Sequence, residues 1–262
     1  MIPKKIHYCW FGGNPKPEII EKCIASWHQY CPDWEIIEWN ESNYDVTAHD
    51  YTKEAYEAKK WAFVSDVARL EIINKNGGIY MDTDVELIAP PVFTAECDAF
   101  YAFETNLNIA SGLGFGAIAE HPSVKEMLSC YDGKHFVVNG ELDLSPCPAK
   151  NTEALRSRYP QFQRNGTSQF FDGVRILSGE EYHAVAFHHG TKSWVDGPVG
   201  THVFKDTKLK RWLRNPDYFD FIEKIFGKKA MQIYTFMVYD LMEMGPLYYI
   251  KRFVAKRLGK LD

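Results

Sequence analysis

A glycine pair, a short apolar run and two aspartates follow one another within residues 76–86. The glycines indicate a tight turn into a buried strand that ends at Asp82 and Asp84. Side chains two residues apart on an extended chain point the same way, so both carboxylates should converge, with Glu86 next on that face. A hard divalent cation relieves such crowding and commonly shares its other positions with substrate phosphates. The stretch therefore predicts a metal-bridged diphosphate site, and a polar strand end before a surface turn is the simpler structural alternative.

The composition is that of an ordinary globular protein. The chain has 262 residues, of which 45% are hydrophobic and 25% are charged. Its net charge of −5 argues against a dedicated nucleic-acid binder. The six cysteines form no C-x-x-C pair, no apolar signal segment follows the first residues, and no apolar run is long enough to span a bilayer. We therefore expect a cytoplasmic protein with free thiols.

Strand-like and helix-like segments alternate along the chain. Strands are predicted over residues 5–11, 34–39, 79–81, 99–103, 114–118, 174–177 and 184–187. Helices are predicted over residues 18–30, 51–60, 63–74, 122–131 and 151–159, the last within a poorly periodic stretch of loops. This alternation predicts an α/β fold with a mostly parallel sheet that is covered on both faces.

The tail of the chain is different, because Lys and Arg are concentrated in it and its last part has the pattern of a basic amphipathic helix. Such a helix either packs on the domain or contacts an anionic membrane surface, where lipid-linked acceptors lie. The sequence leaves both alternatives open. We therefore predict a main domain over residues 1–203 and a helical extension over residues 204–262.

Four motifs occur in order along the main domain. They are P-K-K-I-H-Y-C-W-F-G at residues 3–12, A-F-V-S-D-V-A-R at residues 62–69, G-G-I-Y-M-D-T-D at residues 77–84 and H-H-G-T-K-S-W at residues 188–194. Together they resemble the DXD glycosyltransferases of bacterial capsule and polysaccharide loci (glycosyltransferase family 32-like). That group is related to yeast mannosyltransferases and, more distantly, to the clostridial glucosylating toxins. The resemblance covers residues 2–195 and implies a GT-A fold, a Rossmann-like domain that uses a nucleotide sugar.

The resemblance assigns eight residues to the donor nucleotide sugar: Trp10, Phe11, Asp66, Arg69, Tyr80, Asp82, Ser193 and Trp194. Trp10 would stack on the uracil ring, and Ser193 and Trp194 would contact the diphosphate and cover the donor. Asp66 and Arg69 lie three apart on one helical face and would bind the sugar hydroxyls. The structural alternatives are a core tryptophan and an exposed ion pair of little energetic value.

The metal site implied by the resemblance has Asp84 as its direct ligand, with Asp82 acting through water. His188 would close the site from the far side, and His189 is its rival for that role. An imidazole among oxygen ligands suits Mn²⁺ better than Mg²⁺, so Mn²⁺ is the expected ion and Mg²⁺ the alternative.

The acceptor side is read from two loops, residues 108–112 and 148–152, which resemble family segments near the reacting sugar. Glu104 and Asn151 are the candidates for acceptor contact or catalysis. Cys147 stands before Pro148 where the family usually has a glycine, which is a departure from its pattern.

The resemblance predicts a metal-dependent, retaining transfer of a hexose or N-acetylhexosamine from a UDP-sugar to an oligosaccharide or lipid-linked saccharide in surface polysaccharide biosynthesis. The motifs are equally compatible with GDP-mannose. A different enzyme class is also open: in a haloacid-dehalogenase-like phosphohydrolase, Asp82 would be the nucleophile and Asp84 the general acid/base. The third alternative is a carbohydrate-binding protein without catalysis.

Overall fold

A computed structural model describes residues 1–103 and 107–190. The strands in these ranges are β1 (Lys5–Cys9), β2 (Glu35–Trp39), β3 (Gly78–Tyr80), β4 (Val85–Leu87), β5 (Ala99–Ala102), β6 (Phe115–Ala117), β7 (Val137–Val138), β8 (Glu141–Leu142), β9 (Gln169–Phe171), β10 (Val174–Leu177) and β11 (Ala186–His188). The helices are α1 (Glu18–Tyr30), α2 (Asp50–Glu57), α3 (Trp61–Asn76), α4 (Pro122–Ser129), α5 (Cys147–Arg158) and α6 (Gly179–His183). Strands and helices alternate, as the sequence predicts.

The main sheet has seven strands in the order β2-β1-β3-β6-β5-β10-β9. β1 pairs in parallel with β2 and β3, and β10 pairs in parallel with β5. β6 runs antiparallel to both β3 and β5, and the edge strand β9 runs antiparallel to β10. The sheet is therefore mostly parallel, which confirms the predicted α/β class and fits the GT-A fold that the resemblance implies.

Apolar side chains cover both faces of this sheet. Along β3, Ile79 belongs to one core cluster and Tyr80 to the other. α1 contributes Trp27 to the cluster that contains Ile79, whereas α3 contributes Val67 to the cluster that contains Tyr80. A sheet buried in this way is the usual setting for parallel strands, whose carboxyl ends then line one accessible edge.

Several predicted boundaries differ from the structure, and three of these differences involve segments that carry predicted site residues. α3 begins at Trp61, two residues early, so Asp66 lies in its second turn. α5 begins at Cys147 within the predicted loops, because a proline in the first turn of a helix needs no amide donor. The strand predicted over 184–187 begins only at Ala186, after α6 has ended at His183.

Among the residues described, no helix has the length and apolar character needed to cross a bilayer. All six cysteines lie in the described ranges as free thiols, and five of them are buried. The predicted basic helix and the predicted domain boundary at residue 203 lie outside the described residues.

Candidate active site

The turn between α3 and β3 is fixed by glycine and by a buried histidine. Gly78 has φ of +105°, and a Cβ there would lie 2.9 Å from the carbonyl oxygen of Lys5. Trp39 Nε1 donates to His7 Nδ1 at 3.0 Å, so the ring proton is on Nε2, which donates to the carbonyl of Gly77 at 3.0 Å. Burial lowers the pKa of His7 to about 4, which keeps the ring neutral near pH 7.

Asp82 and Asp84 converge through a turn, not along a strand. β3 ends at Tyr80, and the amide of Val85 donates to the carbonyl of Asp82 at 3.0 Å. β4 then starts outside the main sheet and pairs with β11. The expectation that Glu86 shares a face with both aspartates is wrong, because the turn interrupts the alternation of an extended chain.

Asp82, Asp84 and His188 form a cluster of potential metal ligands. Each offers one ligand atom, and these atoms lie within 4.8 Å of one another. His188 Nε2 is 3.2 Å from Asp84 Oδ1. The antiparallel pairing of β11 with β4 places His188 opposite Val85, and this long-range pairing carries the imidazole to the aspartates. Two carboxylates and one imidazole are a donor set that fits a divalent ion such as Mn²⁺.

The other candidate histidine has a different partner. His189 Nε2 lies 2.8 Å from Glu86 Oε2, and Lys22 Nζ lies 3.0 Å from Glu86 Oε1. Burial would raise the pKa of Glu86, but the hydrogen bonds from His189 and Lys22 outweigh it and lower that pKa. The structure therefore brings His188 to the two aspartates and His189 to Glu86.

Arg69 joins the helix motif to the DXD motif. Its Nη2 atom is 3.1 Å from Asp66 Oδ1 and 3.2 Å from Asp82 Oδ1, and only 4% of the residue is exposed. Tyr80 donates its hydroxyl to Asp82 Oδ1 at 3.1 Å, and the guanidinium lies 5.0 Å from the centre of the Tyr80 ring. Burial raises the pKa of Asp66, and the charge of Arg69 opposes that rise. Two carboxylates are thus held around one buried cation.

Ser111 and Cys147, to which the sequence analysis assigned no role, complete this network. Ser111 Oγ accepts from Asn151 Nδ2 at 2.9 Å and from Arg69 Nη1 at 3.4 Å. The thiol of Cys147 is hydrogen-bonded to Asp66 and lies 3.7 Å from Ser111 Oγ. The two family-like loops were the available signal, and the unusual Cys147 is in contact with the proposed sugar-binding aspartate. Asn151, a predicted acceptor or catalytic residue, is fully buried beside them.

Trp10 and Phe11 lie just beyond the carboxyl end of β1, at the same edge of the sheet as Asp82. Trp10 is half-buried, and its Nε1 donates to the carbonyl of Asn14 at 2.7 Å. Phe11 is buried in the core against Tyr44, with ring centres 5.7 Å apart. Trp10 is thus placed where a base could stack, whereas the ring of Phe11 is already covered by protein.

Three predicted site residues, Glu104, Ser193 and Trp194, lie outside the described residues. Their roles stay predictions.

Comparison with known proteins points to the same class as the ligand cluster. Residues 17–103 match the family described as "Glycosyltransferase sugar-binding region containing DXD motif". This segment contains Asp66, Arg69, Asp82 and Asp84. Together with the Asp–Asp–His cluster, the match supports a metal-dependent DXD glycosyltransferase.

Among curated proteins, the chain is 27% identical to "Subversion of eukaryotic traffic protein A" of Legionella pneumophila, over 34% of this chain. The match spans only 18% of that relative's length. Among solved structures, the chain is similar to "PaToxG Glycosyltransferase", with a TM-score of 0.47, 16% identity, and coverage of 61% of this chain and 70% of that one. A further structure, that of a transferase carrying two cysteine-to-serine substitutions, has a TM-score of 0.41, 11% identity, and coverage of 62% and 87%.

Proposed function

We propose that this chain is a retaining glycosyltransferase that moves a hexose or N-acetylhexosamine from a UDP-sugar to a saccharide acceptor, with Mn²⁺ as its metal. The observation that carries the proposal is the convergence of Asp82, Asp84 and His188 beside the Asp66–Arg69 pair. A cation ligand set next to a buried, charged hydrogen-bonding pair suits a donor that has a diphosphate at one end and a sugar at the other.

Each group has a task in this scheme. Asp84 and His188 would hold the metal, whose positive charge would stabilise the departing diphosphate. Asp66 and Arg69 bind the sugar hydroxyls, and Arg69 and Tyr80 orient Asp82. The acceptor oxygen forms a bond to the anomeric carbon on the face from which the phosphate oxygen leaves. The acceptor proton passes to that leaving oxygen, so no covalent enzyme intermediate is required.

The first experiment measures nucleotide release from a panel of UDP- and GDP-sugars, with Mn²⁺ and with EDTA. Wild type should release UDP from one of the donors, and this release should require Mn²⁺. Asp84→Asn should lower the rate by about 100-fold or more, because metal stabilisation of the leaving group is worth several kcal/mol. Asp33→Asn is the matched control, since Asp33 is exposed and pairs with Lys4 at the amino end of β2.

Other outcomes of this assay would overturn specific parts of the proposal. Release of GDP from GDP-mannose, with no release of UDP from any UDP-sugar, would show that the donor is GDP-mannose and not a UDP-sugar. Phosphate release from aryl phosphates, without release from any nucleotide sugar, would favour the phosphohydrolase. A β-linked product from an α-linked donor, identified by NMR, would refute retention.

We further propose that the acceptor is an oligosaccharide or a lipid-linked saccharide of surface polysaccharide synthesis, reached by peripheral contact with the inner face of the membrane. The basic residues of the tail support this contact. Full-length protein should bind vesicles with anionic lipid and not neutral vesicles. Replacing Lys251, Arg252, Lys256 and Arg257 by Gln should abolish the binding, and equal binding by both proteins would refute the membrane contact.

A further inference from the structure

We propose that Glu86 is a positioning residue that holds His188 in the metal cluster by fixing its neighbour His189. The inference rests on the proposed metal site and adds to it a second layer of residues. Glu86 receives hydrogen bonds from His189 Nε2 at 2.8 Å and from Lys22 Nζ at 3.1 Å. Its side chain is 19% exposed, so water competes only partly for these bonds.

His188 and His189 are neighbours whose side chains point to opposite faces of the β4–β11 ladder, so fixing one side chain restrains the other. Phe187 and His189 point to one face of the β4–β11 ladder, and the centres of their rings lie 4.9 Å apart. On the ladder, Phe187 pairs with Glu86. His188 points to the other face, toward Asp84. β11 is only three residues long and ends at His188, so the hydrogen bonds of His189 lie directly beside its last residue.

The main chain of His189 is tied to the same segment as its ring. Its amide donates to the carbonyl of Asp84 at 2.9 Å, in addition to the bond between the ring and Glu86. His189 is thus hydrogen-bonded to the carbonyl of Asp84 through its amide and to the side chain of Glu86 through its ring. A release of the ring would remove one of the two hydrogen bonds by which His189, the neighbour of His188, is held to this segment.

Helix α1 prevents β4 from following β11 if the two separate. Trp27 Nε1 donates to the carbonyl of Val85 at 2.8 Å, and the amide of Leu87 donates to Ser26 Oγ at 2.9 Å. Lys22, one turn earlier on the same helix, reaches Glu86 itself. Glu86 is therefore a fixed point on a rigid support, as a residue that orients a metal ligand must be.

The test is calorimetric titration of the full-length protein with MnCl₂. Glu86→Leu should weaken Mn²⁺ binding about 10-fold or more, the usual cost of losing an outer-layer partner of a metal ligand. Glu86→Gln also removes the negative charge but keeps an acceptor for His189, so it should stay within about 3-fold of wild type. The difference between the two variants reports the hydrogen bond and not the charge.

Substitutions of His189 should affect Mn²⁺ affinity in the same order as those of Glu86, with Leu more harmful than Gln. His189→Gln keeps an N–H donor and should retain most of the affinity, whereas His189→Leu should lose about as much as Glu86→Leu. Lys125→Gln is the control, because the Lys125 side chain is 51% exposed and pairs with Glu120 and not with Glu86. Metal-free melting curves of all variants identify any that do not fold, and the conservative Gln variants then carry the test.

A double-mutant cycle separates positioning from a general effect. In a His188→Ala background, Glu86→Leu should weaken Mn²⁺ binding by less than about 2-fold, because the side chain through which it acts is gone. An equal loss in both backgrounds would overturn the inference. Equal Mn²⁺ affinity of wild type and Glu86→Leu would overturn it while leaving the metal site intact. If wild type bound no Mn²⁺, the proposed metal site would fall together with the inference.

Discussion

The amide of Asp82 donates to the carbonyl of Gly112 at 3.0 Å, and a Cβ at Gly112 would overlap with Asp82 Oδ2. The DXD carboxylate therefore occupies space that exists only because residue 112 has no side chain. Arg69 Nη1 would be 3.2 Å from the same Cβ, so that both members of the Asp82–Arg69 pair depend on this glycine.

Gly112→Ala should displace the Asp82 carboxylate without unfolding the protein, since the nearest atom is the end of a side chain and not backbone. We expect at least about a 10-fold loss of UDP release and a melting temperature close to that of wild type. Gly179→Ala is the control, because a Cβ there meets no atom within 4 Å. Unchanged UDP release in Gly112→Ala would contradict the close approach.

Arg69→Met should destabilise the fold by about 3–5 kcal/mol, because it leaves Asp66 and Asp82 without their shared cation. Without Arg69, the raised pKa of Asp66 should rise further, so the penalty should shrink as the pH falls and the carboxyl is protonated. Urea unfolding at pH 6 and pH 8 measures both effects.

The control for that change is Arg156→Met, which removes an exposed ion pair with Glu153 on α5. It should alter the free energy of unfolding by less than about 0.5 kcal/mol at either pH. A comparable loss from the two variants would show that burial of Arg69 has no special weight.

His7 should make stability fall as the medium is acidified. Its pKa is about 4 in the folded state and 6.5 ordinarily, so only the unfolded chain takes up the proton between these values. The contribution of neutral His7 to the free energy of unfolding is therefore complete above pH 6.5 and is lost progressively down to pH 4, for a total loss of roughly 3 kcal/mol. Urea unfolding of wild type and His7→Gln from pH 7.5 to pH 4.5 tests this: the variant should be less stable at neutral pH and show a shallower slope. Equal slopes would refute the assignment to His7.

Thiol reactivity should follow burial. Burial raises the pKa of Cys130, as it does those of Cys147 and of Cys9, the last to about 12, but Cys130 is only half-buried whereas the other five cysteines are buried. A disulfide reagent at pH 8 should therefore modify about one thiol rapidly in the native protein and all six in urea. Cys130→Ser should abolish the rapid phase; a rapid phase that survived would mean that a buried thiol becomes accessible.

Much of the set of residues that the structure brings together at the candidate site was predictable, because their signals are local. The glycine pair, the apolar run before Asp82 and the spacing of Asp66 and Arg69 on one helical face can all be read from short stretches of sequence. The mostly parallel character of the sheet followed from the alternation of strands and helices. Asp66 and Arg69, expected on one helical face, are ion-paired, with 3.1 Å between Arg69 Nη2 and Asp66 Oδ1.

The sequence could not predict contacts between residues that are far apart along the chain. The choice between His188 and His189 depends on the register of β11 against β4, and no periodicity within either segment encodes it. Ser111 and Cys147 reach Asp66 from two separate parts of the chain. The error over Glu86 has a related cause, since a turn closed by one backbone hydrogen bond was read as a continuing strand.

The position of β11 in the chain has a consequence for biosynthesis. Within the described residues, all seven strands of the main sheet have been made once β10 ends at Leu177, whereas the strand that carries His188 comes later. On the ribosome, both aspartates and these seven strands therefore emerge before His188. A nascent chain that stops short of Ala186 therefore has these strands but only two of the three residues of the Asp82–Asp84–His188 cluster. The candidate metal site is completed only after the strands that support it.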